Sequence, residues 1–258
     1  MHEWAVVLAV ALGASLLTLF SGFGLGTLLL PAFAWVFPLD VAVAATALVH
    51  LANNVWKAGL LGRLADRAVV LRFGVPAALA AFVGAFLLLH LDPTPFATWR
   101  YGEVSGMGLV IGGLIIAFAL FDLVPRLKDW HLHSAHLGWG GALGGFFGGL
   151  SGHQGALRSV FLTKVGLDAK AFIATGTLCA ILVDVSRLTV YGVATWRDAG
   201  LAIGTAGGWG LIGAACLMAF LGAWIGKRLM GKVTLDGVRT LVGILLLLTG
   251  SSLAAGLR

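Results

Sequence analysis

Residues 4–39 of the chain read WAVVLAVALGASLLTLFSGFGLGTLLLPAFAWVFPL and contain no Asp, Glu, Lys or Arg. As one helix this stretch would be about 50 Å long, whereas the hydrocarbon core of a bilayer is about 30 Å thick. Gly22, Gly24 and Gly26 lie near its middle, where glycine weakens a helix. We therefore predict a break at these glycines. The segment either crosses once with a distorted centre or forms a re-entrant hairpin.

The remainder of the chain has the same apolar character. Of its 258 residues 59% are hydrophobic and only 11% are charged, whereas a soluble domain carries about 25% charged residues. Further charge-free runs cover 73–91, 104–121, 199–226 and 240–257, and about 20 apolar residues suffice to span a bilayer. Because helices satisfy every backbone polar group within lipid, we predict one all-α polytopic membrane domain over residues 1–258.

Several function classes are excluded by composition and motifs. The net charge is +6, but the basic residues flank apolar runs as in membrane proteins, so we expect no nucleic-acid partner. Cys179 and Cys216 form no CxxC pair, and no acidic or cysteine ligand completes a recognised metal-binding spacing with His131, His133 and His136, so we expect no metal and no cofactor. Without a GxSxG or HExxH motif or paired intramembrane carboxylates, we do not expect an enzyme.

Two parts of the chain match in order. SGFGLG from Ser21 is followed by an apolar stretch and then by LD and AT, and SGHQGAL from Ser151 is followed by the same elements. NVWK from Asn54 then lies opposite DVSR from Asp184. Such order indicates a duplication, as in many transporters. The predicted parts are repeat one (4–124), a connector (125–137) and repeat two (138–256), with GAF from Gly84 opposite GAW from Gly222.

Each predicted repeat consists of a glycine-broken segment followed by three spans. The spans are expected at about 40–58, 70–90 and 104–124, and at about 169–190, 200–226 and 238–256.

The basic residues distinguish the two forms of the broken segments. If each segment crosses once, the halves are parallel and the Lys and Arg residues divide evenly between the two faces. If each is a hairpin, the halves are inverted, and of the 17 basic residues only Arg100, Arg187, Arg197 and Arg258 fall on the outer face. The tendency of basic residues to face the cytoplasm therefore favours hairpins, inverted repeats and both termini outside the cytoplasm.

The two predicted hairpin tips are candidate substrate sites. Non-helical backbone inside a membrane is tolerated only where protein or a water-filled cavity surrounds it. The helix that restarts after each tip directs its N–H groups and positive dipole end towards the midplane, which suits an anion. The candidate substrate-binding residues of the tips are Ser21, Gly22, Gly24, Gly26, Ser151, Gly152, His153, Gln154 and Gly155.

The run GGALGGFFGG at 140–149 is assigned a different role. Glycines at such spacing allow close packing of membrane helices. We predict that this run is a packing face and not a ligand site.

A polar stripe follows in the second segment of repeat one. His50, Asn53, Asn54 and Lys57 are spaced by three, four and seven residues, so most of them share one helical face. Asn53 and Asn54 are candidate substrate-binding residues. Lys57 lies near the predicted helix end and is expected to extend to the cytoplasmic surface.

A second stripe, formed by Asp184, Arg187 and Tyr191, occupies the corresponding segment of repeat two. Arg187 and Arg158 are candidates for binding an oxyanion, since guanidinium groups supply permanent charge and planar donors. Asp184 could instead neutralise Arg187 at i, i+3, and Arg158 could reach the cytoplasmic interface. His153 and Asp184 are the candidates for proton coupling, although a histidine at such a place is often structural.

These residues resemble the sulfite exporter TauE/SafE family of membrane permeases, including those similar to 4-toluene sulfonate uptake permeases. The features that carry the resemblance are SGFGLG with Pro31 after it, SGHQGALRSVFL from Ser151, the AT pair after each, and the basic link between the halves. The resemblance covers nearly the whole chain. It implies transport of sulfite, sulfoacetate or another organosulfonate across the bacterial inner membrane. His, Gln and Arg in the second tip depart from the simplest glycine-rich pattern of the family.

The expected function is therefore secondary transport of a small sulfur-containing anion. We expect export by alternating access between inverted halves, coupled to protons, in a multi-pass protein of the bacterial inner membrane. The expected partners are the anion and the lipid bilayer, and a homodimer is left open. The alternative is a membrane assembly or receptor subunit without a transport cycle, which predicts a dry, closed interior and a second polypeptide.

Overall fold

A computed structural model describes residues 2–21, 25–92, 94–124, 136–205, 208–229 and 235–257. The predicted connector at 125–137 lies outside these ranges except for its last two residues. The helices are α1 (His2–Ser21), α2 (Leu25–Ala34), α3 (Leu39–Leu61), α4 (Arg67–Leu89), α5 (Gly106–Leu123), α6 (Leu137–Ser151), α7 (Gly155–Leu162), α8 (Ala169–Thr205), α9 (Gly208–Leu229) and α10 (Leu235–Ala254).

Four helical stretches in the described part of the chain are long and apolar enough to cross a membrane. They are Leu39–Leu64, Arg67–Leu89, Ala169–Gly192 and Gly208–Leu229. Shorter apolar helices cover Glu3–Thr18, Leu25–Ala34, Gly106–Leu120 and Thr240–Ala254. The architecture is that of an all-α polytopic membrane protein, as the charge-free runs predict.

Two helices have features that the predicted spans do not include. Helix α4 begins with a helical turn at Arg67–Val69, passes through a π-helical turn at Val70–Gly74 and continues as Val75–Leu89. Helix α8 runs for 37 residues, and its part Ala169–Gly192 is the span expected at about 169–190. The helix continues to Thr205 and the next span begins at Gly208, so the prediction that this span begins at about 200 is wrong. No proline lies between 190 and 205 to end the helix.

A β-hairpin that the sequence analysis does not predict lies between α4 and α5. Strands β1 (Pro95–Trp99) and β2 (Gly102–Ser105) pair antiparallel. Trp99 Nε1 donates to the backbone oxygen of Ala255 over 2.8 Å, and Gly102 forms a β-bridge with Leu257. The hairpin thus holds the end of α10 beside the beginning of α5.

A cavity of about 390 Å³ lies at this same end of the helix bundle. Val6 near the beginning of α1, Trp35 after the end of α2 and Leu39 at the beginning of α3 all line it, together with Glu103 of β2. Residues near the beginning of α1 and after the end of α2 thus line the same cavity.

The helix pairings are reciprocal between the first five helices and the last five. Helix α1 packs on α9, and α6 packs on α4; α1 also packs on α2, and α6 on α7. Helix α3 packs on α8, and α5 packs on α10. If helices α1 to α5 are exchanged in order with α6 to α10, these six contacts are unchanged.

Glycines permit the closest of these contacts. A Cβ at Gly141, Gly145 or Gly149 of α6 would overlap a backbone carbonyl of α4, so the prediction that this run is a packing face is confirmed. Gly84 and Gly222, which the sequence matches to each other, make equivalent contacts. A Cβ at Gly84 would overlap the backbone of α6, and a Cβ at Gly222 would overlap the backbone of α1.

Candidate functional site

The second broken segment is interrupted by a short non-helical stretch that the protein buries. Helix α6 ends at Ser151, and α7 begins at Gly155. Gly152 has φ of 80° and donates its N–H to the Gly148 oxygen over 2.9 Å, a left-handed conformation that glycine adopts without strain. Ser151, His153 and Gln154 are each at most 3% exposed. The tip is therefore enclosed by protein, as predicted for backbone inside a membrane.

Hydrogen bonds fix two side chains of this tip. Ser151 Oγ donates to the Phe147 oxygen over 3.0 Å, and His153 Nδ1 lies 3.0 Å from Ser151 Oγ. The imidazole is parallel to the Phe118 ring, with centroids 6.2 Å apart. His153 Nε2 and Gln154 Nε2 are buried without a hydrogen-bond partner among the residues that the structure describes. An unsatisfied buried polar group costs about 1–3 kcal/mol, so this tip is suited to a polar ligand.

In the first broken segment α1 ends at Ser21 and α2 begins at Leu25. Gly22 and Gly24, both predicted to bind substrate, lie outside the described residues, as does the side chain of Ser21. Gly26 is the second residue of α2, so the prediction that the break extends to it is wrong. A Cβ there would lie 3.5 Å from Thr46 and 3.7 Å from His50, so the beginning of α2 packs on the polar stripe of α3.

Asp184 is the centre of a buried ionic cluster between α3 and α8. Its Oδ2 lies 2.6 Å from His50 Nδ1 and accepts from Asn54 Nδ2 over 3.1 Å. Its Oδ1 lies 2.8 Å from Arg187 Nη2 and accepts from Arg187 Nε over 3.1 Å. The predicted neutralisation of Arg187 by Asp184 is confirmed, and the stripes of the two helices meet at this carboxylate.

The cluster connects the two broken segments. Gly26 packs on His50 at one end, and at the other a Cβ on Gly152 would lie 2.8 Å from Arg187 Nη1. Between them His50, Asp184 and Arg187 form a continuous chain of contacts. Predicted site residues from both halves are thereby brought into one buried region.

Basic side chains outnumber acidic ones here. Asp184 is the one buried carboxylate among the side chains that the structure describes, whereas Lys57, Arg158 and Arg187 are all buried. Arg158 interacts electrostatically with both Lys57 and Asp184, and its Nε would lie 3.1 Å from a Cβ at Gly176 of α8. A buried excess of positive charge is unfavourable unless an anion accompanies it.

Lys57 does not reach the surface, and that prediction is wrong. Its Nζ donates to Thr18 Oγ1 over 3.4 Å. The Asn53 amide is oriented so that its Nδ2 donates to the Ala219 oxygen, and Lys57 Nζ then lies 3.2 Å from Asn53 Oδ1. Ser15 Oγ also donates to the Ala219 oxygen, over 2.6 Å. Asn53 thus joins α1, α3 and α9 and lies away from Asp184, unlike its neighbour Asn54.

One residue of the cluster is absent from the predicted binding set. His50 belongs to the polar stripe of α3, but only its contact with Asp184 identifies it as part of the site. The spacing of the stripe was the available signal. The partner on α8 cannot be inferred from that spacing.

The cavity beside the β-hairpin is a separate feature. Its charged lining residues are Asp40 and Glu103, both acidic, and acidic side chains disfavour a bound anion. The buried cluster is therefore the better candidate for an anion site.

The family model described as Sulfite exporter TauE/SafE matches residues 7–253, which is nearly the whole chain. No match was found among curated proteins or among solved structures.

Proposed function

The chain belongs to the sulfite exporter TauE/SafE family, and from that premise we propose that it is a proton-coupled secondary exporter of a small sulfur-containing anion. Family membership and the apolar helices make it a multi-pass membrane transporter of sulfur anions. Export, proton coupling, alternating access and residence in the bacterial inner membrane are the further parts of the proposal, in which the chain acts as a transporter and not as an enzyme.

The buried charge of the ionic cluster is the observation that supports this function best. Lys57, Arg158 and Arg187 are all buried, and Asp184 is the single buried carboxylate among the described side chains. An oxyanion that approaches from the tips would meet guanidinium donors in a region from which water is excluded, where ionic attraction is strong. Asn54, His153 and Gln154 would add neutral donors and acceptors.

Alternating access requires two halves that can move against each other around this cluster. The reciprocal helix pairings support a duplicated architecture. Val6 and Trp35 line one cavity, which favours a re-entrant hairpin for α1 and α2 and therefore inverted repeats. In this arrangement the Asp184 contacts with α3 lie between the moving halves.

Proton coupling would act through the same carboxylate. Asp184 accepts hydrogen bonds from Asn54 of α3 and Arg187 of α8 and contacts His50 of α3. Protonation would remove the charge that holds these groups together. The halves could then separate, so a proton entering the cluster would favour the change of access. His153, in the second tip, is the other candidate for carrying the coupled proton.

Transport into proteoliposomes tests the proposal. Purified protein is reconstituted and supplied with sulfite, sulfoacetate or taurine, with and without an imposed pH gradient. We expect accumulation of at least one of these compounds that depends on the gradient. Arg187→Gln should reduce its rate about tenfold or more, because a charge-assisted hydrogen bond to the anion contributes about 1.5–3 kcal/mol.

The matched control is Arg63→Gln, which removes an arginine from an exposed turn and should leave the rate unchanged. Correct folding of both variants is checked by gel filtration and by helical circular dichroism. Absence of transport for every anion at every pH by folded wild-type protein would overturn the proposal and favour a non-transporting membrane subunit.

A further inference from the structure

The proton on the His153 imidazole can be assigned to one nitrogen from its contacts. Ser151 has a single hydroxyl proton, and it is donated to the Phe147 oxygen, an acceptor that has no proton of its own. Ser151 Oγ must therefore accept from His153 Nδ1, 3.0 Å away. In the neutral imidazole, Nδ1 carries the proton and Nε2 carries the lone pair.

The following residue of the tip contributes an unused donor. His153 Nε2 and the amide Nε2 of Gln154 are both buried, and neither has a hydrogen-bond partner in the described part of the chain. The two atoms belong to consecutive residues of the non-helical tip. Together they offer one acceptor and one donor, which is the complement of a ligand group that carries both an O–H and an unprotonated oxygen.

The surroundings of His153 favour its neutral form. Helix α8 contributes Arg187, the charged side chain that acts on His153 electrostatically, and Asp184, which is already paired with Arg187. Helix α5 contributes the Phe118 ring. An imidazolium would be a second buried cation beside Arg187, so the position is better suited to accepting a hydrogen bond than to holding a charge.

We propose that this tip selects the hydrogen-bearing monoanion of a small sulfur oxyacid, such as hydrogen sulfite, over an organosulfonate of the same charge. This inference rests on the proposed function and specifies its substrate class. The ligand O–H donates to His153 Nε2, its unprotonated oxygen accepts from Gln154 Nε2, and Arg187 supplies the countercharge. A sulfonate has no proton to donate at neutral pH, so it leaves Nε2 unsatisfied. The proton crosses with the anion on the ligand oxygen, while Nε2 accepts its hydrogen bond.

Ligand binding and transport are measured separately. The rise in the thermal unfolding temperature of purified protein gives apparent affinities for sodium sulfite and sodium methanesulfonate, below and above the pH at which hydrogen sulfite loses its proton. We expect wild-type protein to prefer sulfite about tenfold or more below that pH, since a buried acceptor without a donor is costly. The preference should fall above it.

Two variants test the roles of these residues. His153→Phe removes the acceptor while keeping a ring to stack on Phe118, and should lower the sulfite preference to near one while methanesulfonate binding changes little. Ser151→Ala no longer fixes the tautomer and should lower the preference in part; it also serves if His153→Phe does not fold. The matched control is His90→Gln, a change of an exposed histidine that should preserve the preference.

The outcomes separate this inference from the proposed function. Equal affinity for the two anions, or a preference that survives His153→Phe, overturns the inference even if transport is observed. Selective binding of sulfite without transport supports the inference and counts against the transporter. Absence of both binding and transport contradicts both.

Discussion

Asn54 and Asp184 hydrogen-bond each other across the two halves of the chain, with Asn54 Nδ2 donating to Asp184 Oδ2 over 3.1 Å. In the proposed duplication these residues are counterparts, because NVWK from Asn54 matches DVSR from Asp184. Counterparts in two halves related by a twofold axis can approach this closely only near the axis. We therefore infer that the ionic cluster lies on the axis, where one ligand can be reached from both halves.

Asp184→Asn is expected to destabilise the protein strongly. The substitution keeps the size of the side chain but removes the charge that Arg187 contacts at 2.8 Å. Removing one partner of a buried ion pair costs about 3–5 kcal/mol, since the other charge is left uncompensated. The unfolding temperature in detergent should fall, and transport in proteoliposomes should be lost.

Asp40→Asn is the matched control, because Asp40 is exposed and should tolerate the change. The double variant Asp184→Asn with Arg187→Gln also removes the guanidinium that pairs with Asp184, and it should regain part of the lost stability without regaining transport. A wild-type unfolding temperature for Asp184→Asn alone would contradict the central role of the carboxylate.

The sequence predicts the parts of this fold that depend on local pattern. Charge-free runs locate the helices, and the break of the second segment follows from Gly152, whose φ of 80° is unfavourable for other residues. The packing role of the glycine run at 140–149 also follows from spacing. These features depend on residues that are near one another in the chain.

Features that depend on distant partners could not be predicted. The polar stripe shows that His50 shares a face with Asn54, but contact with Asp184 depends on how α3 packs on α8. Lys57 illustrates the same limit, since a lysine near a helix end usually extends towards water. Here the packing of other helices brings Thr18 close, and its hydroxyl accepts a hydrogen bond from Lys57 Nζ.

Cysteine labelling distinguishes a hairpin from a single crossing. Glu3→Cys, Leu64→Cys, Tyr101→Cys and Lys170→Cys each introduce a thiol at an exposed position. With a hairpin in each half and basic residues inside, a membrane-impermeant maleimide should label positions 3 and 101 in intact cells, and positions 64 and 170 only after disruption. With single crossings, position 3 would share a side with position 64.

The labelling is done with Cys216 replaced by serine, because Cys179 is buried and Cys216 is partly accessible. Complete labelling at all four positions after disruption is the internal control. Protection of positions 3 and 64 together in intact cells would exclude the inverted arrangement.

Close packing of α6 on α4 is tested by a pair of glycine substitutions. A Cβ at Gly145 would overlap the backbone oxygen of Ala77, and backbone cannot yield as a side chain can. Gly145→Ala should therefore lower the free energy of unfolding by about 1–3 kcal/mol. Gly113→Ala is the control, because nothing lies within 4 Å of its Cβ, and it should be neutral or stabilising by up to about 1 kcal/mol. Equal effects in a denaturant titration would argue against the packing role.

The contact between the second tip and Arg187 is tested by two glycines of nearly equal conformation. Gly152 has φ of 80° and Gly166 has φ of 82°, so alanine at either position should cost about 1–2 kcal/mol of stability through left-handed backbone strain. Only at Gly152 would the new Cβ meet a guanidinium, 2.8 Å from Arg187 Nη1, whereas the space around Gly166 is open. Gly152→Ala should displace Arg187 and slow transport about tenfold or more, because a small misplacement of a binding group costs that much. Gly166→Ala should lose similar stability and retain transport; if it slows transport equally, backbone strain and not the position of Arg187 governs the rate.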